Sequence, residues 1–235
     1  MPANWDVRGL IELNSLVRNN PLAAELIPML GNNPFIRGFP VFFSIVALWF
    51  STGCRERRRR ILVGLFGTFV ATILAVWMQH SFVFHLRPFL DTSLHLGFVD
   101  PASTLNWDHV GSFPSDSATL FFSLVAVIFI ENRMAGCFAF LWSLATVGVT
   151  RVALGWHYPS DIAGGLILGV ACVYLLTRVK YLRTLAEELL QRCESRIFVV
   201  HALVFLFLAD AYTLFPGLGD IAWRLHGVLK GLTMR

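Results

Sequence analysis

The sequence predicts an all-α fold: a polytopic membrane protein with six transmembrane helices, a single domain over residues 1–235, and an amphipathic surface helix at each terminus. Three observations predict it. Of the 235 residues, 56% are hydrophobic and 14% charged, whereas a soluble domain carries about 25% charged residues. Six apolar runs approach the twenty or so residues that a bilayer requires. The basic residues cluster beside those runs, in loops that fall on one side of a six-span chain. The net charge of +4 is therefore a membrane-topology signal, and nucleic acid is not an expected partner.

The elements follow in order. Residues 6–18 set Val7, Leu10, Ile11 and Val17 at helical spacing, with Arg8, Glu12 and Asn14 between them. This predicts a helix lying on the membrane, with a packed amphipathic helix as the alternative. Residues 21–40, interrupted by Pro28, Gly31, Pro34 and Gly38, read as an irregular lead-in. The first span covers 36–52. Arg55, Arg57, Arg58, Arg59 and Arg60 then form a cytoplasmic anchor. The second span is 61–79, followed by a polar segment from His80 to Asp116. Further spans cover 117–131, 135–151, 160–177 and 197–215. In the tail, Ile221, Leu225, Val228, Leu229 and Leu232 share a helical face, with Arg224 and Lys230 off it. The first thirty residues hold acids, Asn and Pro around no compact apolar core, so a signal peptide is not expected. Cys54, Cys137, Cys172 and Cys193 are far apart, which predicts neither a disulfide framework nor a metal site. With the basic loops inside, the 80–116 segment and the Gly155–Ser160 connection share the outer face.

Three polar clusters lie on that face. In the stretch Thr150–Asp161, Arg151 offers a planar fork of donors suited to phosphate. His157 and Asp161 are four apart, and Pro159 between them suits the first turn of a helix. A carboxylate on one ring nitrogen fixes the tautomer and leaves the other nitrogen free to attack. In the second cluster, Ser115, Asp116 and Ser117 open a helix whose first amides lack intrahelical partners, a ready anion site. A plain N-cap by Ser115 is the alternative. The first cluster in chain order runs from His80 to Arg87-Pro88, where Arg87 alone would read as an interfacial snorkelling residue, so that Thr150–Asp161 is the third. Together they make a phosphate cradle with a nucleophile. No Walker loop, zinc spacing or Gly-x-Ser-x-Gly supports another chemistry.

This pattern resembles the type 2 phosphatidic acid phosphatase superfamily of integral membrane lipid phosphatases and phosphotransferases. The family signature has Lys, six residues, then Arg-Pro; Pro-Ser-Gly-His, often with Asp for Gly; and Ser-Arg, five residues, His, three residues, Asp. Here these parts are His80, six residues, Arg87-Pro88; Pro114-Ser115-Asp116-Ser117; and Thr150-Arg151, five residues, His157, three residues, Asp161. The resemblance implies that His157 is the nucleophile, forming a phosphohistidine, with Asp161 as its partner. It implies that Arg87, Arg151 and Ser115 hold phosphoryl oxygens, helped by amides near Asp116 and Ser117, with His80 in the place of the family's Lys. It implies no cofactor and no metal.

Two positions depart from the family. His80 replaces a lysine and titrates near neutrality. Ser117 replaces the histidine that serves the family as general acid, a group that supplies about 10²–10⁴-fold. Asp116, His80, His85, His95 and His109 are the outer-segment candidates to substitute; His85, His95 and His109 read better as loop histidines, and His201 and His226 carry no expected role.

The expected function is hydrolysis or transfer of a phosphoryl group from a lipid phosphate or diphosphate, a polyprenyl diphosphate above all. The partners are that lipid and the bilayer. The expected location is the bacterial inner (cytoplasmic) membrane, with the site on the extracytoplasmic face. Two alternatives stand beside it: a transferase moving a non-phosphoryl group from a lipid-phosphate-linked donor, and a non-catalytic lipid-phosphate binding protein.

Overall fold

The computed structural model describes residues 5–51, 55–81, 86–97 and 111–212. All regular structure among them is helical: α1 (Trp5–Asn19), α2 (Pro21–Asn32), α3 (Pro34–Phe50), α4 (Arg55–Ser81), α5 (Asp116–Glu131), α6 (Arg133–Ser143), α7 (Thr150–Ala153), α8 (Pro159–Arg178), α9 (Lys180–Arg192) and α10 (Ile197–Tyr212), with short 3₁₀ turns at Pro88–Leu90, Thr92–Leu94 and Glu194–Arg196. A π-helical segment, Leu144–Val149, joins α6 to α7.

By length and composition, α4, the continuous Arg133–Ala153 rod and α8 can each cross a membrane, and the α2–α3 pair, bent by 49°, makes up to four such spans. This is an integral membrane protein. Against the expectation of six spans, the remaining two elements, α5 and α10, are each described over 16 residues. The expected tail helix at 220–235 lies outside the described residues, as do Cys54, His85 and His109.

The core is organised on α5, packed between α4 and α8. Every residue from Ser117 to Val125 is buried, as expected of a helix that is apolar on all sides. Backbones of α5 and α8 meet closely. A Cβ at Gly165 would lie 2.7 Å from the Ser115 carbonyl oxygen, and one at Gly169 would lie 2.6 Å from that of Thr119. This spacing of small residues lets membrane helices approach. It fixes the start of α5 against the start of α8, where two of the three polar clusters sit.

Two expectations are corrected. Residues 21–40 are helical rather than irregular. Asn20 accepts from the amides of Leu22 and Ala23, at 3.0 and 3.3 Å, and Asn33 accepts from Ile36 at 3.2 Å. Pro21 and Pro34 follow these caps at first-turn positions, where a missing amide donor costs nothing. The arginine run is not a loop but the opening of α4. Arg60 grips the buried Glu131 of α5 through two contacts of 2.7 Å, a bidentate pairing that holds the two helix ends together. The N-terminal helix is present and packed: Leu10 and Val17 are fully buried, and α1 lies against α7 and α8.

Candidate active site

Local chain chemistry places the third cluster first. Gly155 turns the chain at the end of α7 with φ 74°, a conformation glycine adopts without strain. The amides of Trp156 and His157 donate back to the Arg151 carbonyl, at 3.0 and 3.4 Å. The Arg151 guanidinium lies 4.8 Å from the centre of the Trp156 ring, a cation–π contact. Pro159 then starts α8, and Asp161 in its first turn accepts the Tyr158 amide at 2.8 Å.

The same Asp161 oxygen, Oδ2, lies 3.4 Å from His157 Nδ1. A closer neighbour of Nδ1 is the Ser112 carbonyl oxygen, at 3.0 Å. A carbonyl and a carboxylate only accept, so Nδ1 carries the proton. His157 Nε2 is left with its lone pair and faces Arg87 Nη1 at 3.4 Å. His157 is 1% exposed and Asp161 0%. Burial pushes the His157 imidazole below its ordinary range; Asp161 opposes this and Arg87 adds to it. A neutral imidazole with Nε2 free is the form that can attack.

The other clusters close on this point. The Phe89 amide, just after Arg87-Pro88, donates to the Gly155 carbonyl at 3.0 Å. The Ser115 amide donates to the Asp161 carbonyl at 3.1 Å, and Ser115 Oγ caps α5 through the Ala118 amide at 3.3 Å. Asp116 Oδ1 accepts the Ser117 amide at 2.7 Å, with Ser117 Oγ at 3.5 Å. Arg87, Arg151, Ser115 and Ser117 are all buried. The structure thus gathers Arg87, Ser115, Asp116, Ser117, Arg151, His157 and Asp161 at one end of the bundle.

His80 is not among them. It is exposed at the end of α4, with Nδ1 2.8 Å from the Val76 carbonyl of its own helix, and no contact among the described residues joins it to the cluster. The inward residue there is Gln79, 2% exposed. Its side-chain amide donates to the Pro114 carbonyl at 2.7 Å, and its own carbonyl accepts from Gly111 at 2.9 Å. His95 ends a 3₁₀ turn with φ 46°. His201 lies near the start of α10, against Trp49 and Phe50.

The sequence predicts α1 as a helix but not its part in holding the site. The buried Asp6 accepts from the Ser160 amide at 2.8 Å and from Ser160 Oγ at 2.6 Å. Asn14 donates to the Ala153 carbonyl at 2.9 Å and accepts from Gly97 at 3.0 Å. The segment carrying His157 is therefore held on both sides by one N-terminal helix. The only sequence signal was a pair of polar residues on the apolar side of α1, at Asp6 and Asn14.

Comparison with known proteins adds lineage to this geometry. The model of the PAP2 superfamily matches residues 61–185, just over half the chain. Undecaprenyl-diphosphatase BcrC of Bacillus subtilis (strain 168) is 25% identical over 134 residues, covering 57% of this chain and 64% of the relative. The putative undecaprenyl-diphosphatase YbjG of Escherichia coli (strain K12) is 25% identical over 164 residues, 70% of this chain and 76% of the relative. Decaprenylphosphoryl-5-phosphoribose phosphatase of Mycobacterium tuberculosis (strain CDC 1551 / Oshkosh) is 35% identical over 125 residues, 53% and 64% respectively. The matched region thus spans just under two thirds of the first of these relatives. No solved structure gives a significant match.

Proposed function

This chain belongs to the PAP2 superfamily, and we propose that it is a metal-independent membrane phosphatase or phosphotransferase acting on a lipid phosphate, with a polyprenyl diphosphate as the preferred substrate. The observation that carries this is the setting of the His157 ring: Nδ1 faces the Ser112 carbonyl and Asp161, and Nε2 faces Arg87. The names of the relatives, two of them undecaprenyl-diphosphatases, support the substrate class.

In the proposed reaction Arg87 and Arg151 hold the phosphoryl oxygens, with Ser115 and the first amides of α5. His157 Nε2 attacks the terminal phosphorus. The N–P bond forms as the bond from phosphorus to the bridging oxygen breaks, and the electron pair leaves on the lipid monophosphate. Asp161 stabilises the positive ring of the phosphohistidine. Water then attacks phosphorus, the N–P bond returns its electrons to Nε2, and phosphate and a proton are released. A transfer reaction puts an acceptor hydroxyl in the place of water.

Ser117 decides the substrate preference. An alkoxide leaving from a simple monophosphate ester is strongly basic and needs a proton as it departs. A phosphate leaving from a diphosphate is stable as an anion. A site with a nucleophile and a serine where the family has its acid suits the second. Six spans in a single domain over 1–235, with the basic helix ends cytoplasmic and His157 at the extracytoplasmic face of a bacterial inner membrane, complete the reading.

The test is one comparison of two substrates on two proteins in the same detergent. The native protein should turn over a polyprenyl diphosphate better than a phosphatidate-type monophosphate. Ser117→His should raise monophosphate turnover more than diphosphate turnover, by up to about 10²–10⁴-fold. Equal gains on both would mean that another residue already serves as the acid. Ser117 also favours one second reading: with no turnover of either substrate and binding intact, the cradle would hold a lipid-linked donor whose non-phosphoryl group moves, or would only bind the lipid.

A further inference from the structure

The reaction uses one end of the bundle; the arginine run lies at the other. α4 carries Arg55 and Ser81 at its two ends, about 40 Å apart for 27 residues, and α8 runs from the site to Arg178. All five arginines are engaged. Arg57 and Arg60 meet Glu131, Arg55 meets Glu187 and Glu194, and Arg58 donates to the Trp49 carbonyl. Arg59 reaches Glu56 and also lines a cavity of about 440 Å³ with Lys180, Arg183, Thr184, Glu187, Glu188 and Gln191 of α9.

The charges in this cavity are unbalanced. Glu187 is paired with Arg55, and Glu188 with Arg192. Among the described residues, Lys180 and Arg183 have no carboxylate partner, and the Nε atoms of Arg59 and Arg183 are shielded from solvent without an acceptor. α9 also has an apolar face that no helix covers among the described residues. Ala186 and Leu190 are buried, but Tyr181, Leu185 and Leu189, at four-residue spacing, are 73%, 49% and 43% exposed. The polar cavity flanks this face. A helix with this division lies at a bilayer surface, apolar side in the acyl boundary and cations at the level of the head groups.

We propose that the cavity between α4 and α9 is a binding site for one anionic phospholipid of the adjoining leaflet. Its phosphate is held by Lys180, Arg183 and Arg59, and its chains run along Tyr181, Leu185 and Leu189. Basic pockets between helices at a membrane surface suit such head groups. The occupant is a lipid rather than free phosphate because the cations adjoin an exposed apolar face. The site is independent of the reaction at His157.

Native mass spectrometry of delipidated full-length protein in dodecyl maltoside tests it, with phosphatidylglycerol, phosphatidylcholine of the same chains, and inorganic phosphate as probes. One phosphatidylglycerol should be retained at concentrations where phosphatidylcholine is not. The double variant Lys180→Gln with Arg183→Gln should bind phosphatidylglycerol on the order of tenfold more weakly, the scale of two basic residues at an anionic surface. Arg192→Gln, an exposed side chain outside the cavity, should bind as the native protein does. If the double variant is not monodisperse, Lys180→Gln alone decides: a several-fold loss supports the site, and unchanged binding overturns it. Equal retention of phosphatidylcholine, native affinity in the double variant, or displacement of the lipid by an equal concentration of inorganic phosphate would each overturn the proposal.

Discussion

His157 meets opposing influences, and their balance sets a pH profile. Burial pushes its imidazole below the ordinary value of 6.5, while Asp161 pulls the other way. The reacting form is neutral, so a lowered pKa keeps the nucleophile available as pH falls. The acid limb of kcat/KM, which reports the free enzyme, should therefore lie below about 6.5; a pH series on the native protein measures it, and a limb above that value would mean that Asp161 outweighs burial. The residues named for this site in the sequence were those with side-chain chemistry at recognisable spacing, such as Arg151, His157 and Asp161. The contact that fixes the tautomer was not legible, because it comes from a backbone carbonyl 45 residues away. Any residue at position 112 offers that group. Gln79 was hidden for a related reason: beside His80 it drew no notice, and only the fold turns Gln79 inward and His80 outward.

Among the elements, α1 has the clearest consequence. It lies outside the part of the chain that the family model matches, yet Asp6 caps the first turn of α8 through Ser160, between His157 and Asp161. Asp6→Ala removes both acceptors and should lower kcat with little change in KM, by up to about 10²-fold, the cost of misplacing a reacting group by about 1 Å. Asp6→Asn retains an acceptor for the amide and should fall between. Steady-state kinetics on the two variants decide; a large rise in KM with kcat unchanged would put Asp6 at substrate binding instead. The helical period of α1 was legible from its apolar residues, but its place was not, since a contact across 154 residues leaves no local pattern. The segment at 21–40 shows the opposite failure. Pro28, Gly31, Pro34 and Gly38 suggested breaks, but Asn33 makes Pro34 a helix start, as Asn20 does Pro21, a signal that lay in the sequence one residue before each of these two prolines.

For the molecule as a whole, composition and the basic clusters made membrane helices legible, because a bilayer demands long apolar runs whatever the tertiary fold. The packing order was not legible, since α5 is apolar on every side and gives no direction; the close approach at Gly165 and Gly169 supplies it. Orientation is checked with an impermeant thiol reagent on intact cells. Cys193, beside the basic end of the bundle, should stay unlabelled, and a cysteine placed at Asn106 should be labelled; the reverse pattern would put His157 on the cytoplasmic side. Covalent chemistry at His157 is the centre of the proposed reaction. Its most direct test is to quench native protein during turnover of a polyprenyl diphosphate carrying labelled terminal phosphate, and to map the label by peptide mass spectrometry. An acid-labile, base-stable phosphoryl group is expected on His157, absent from His157→Ala, which should still bind the lipid. Turnover with no label on His157, or turnover retained in His157→Ala, would contradict it.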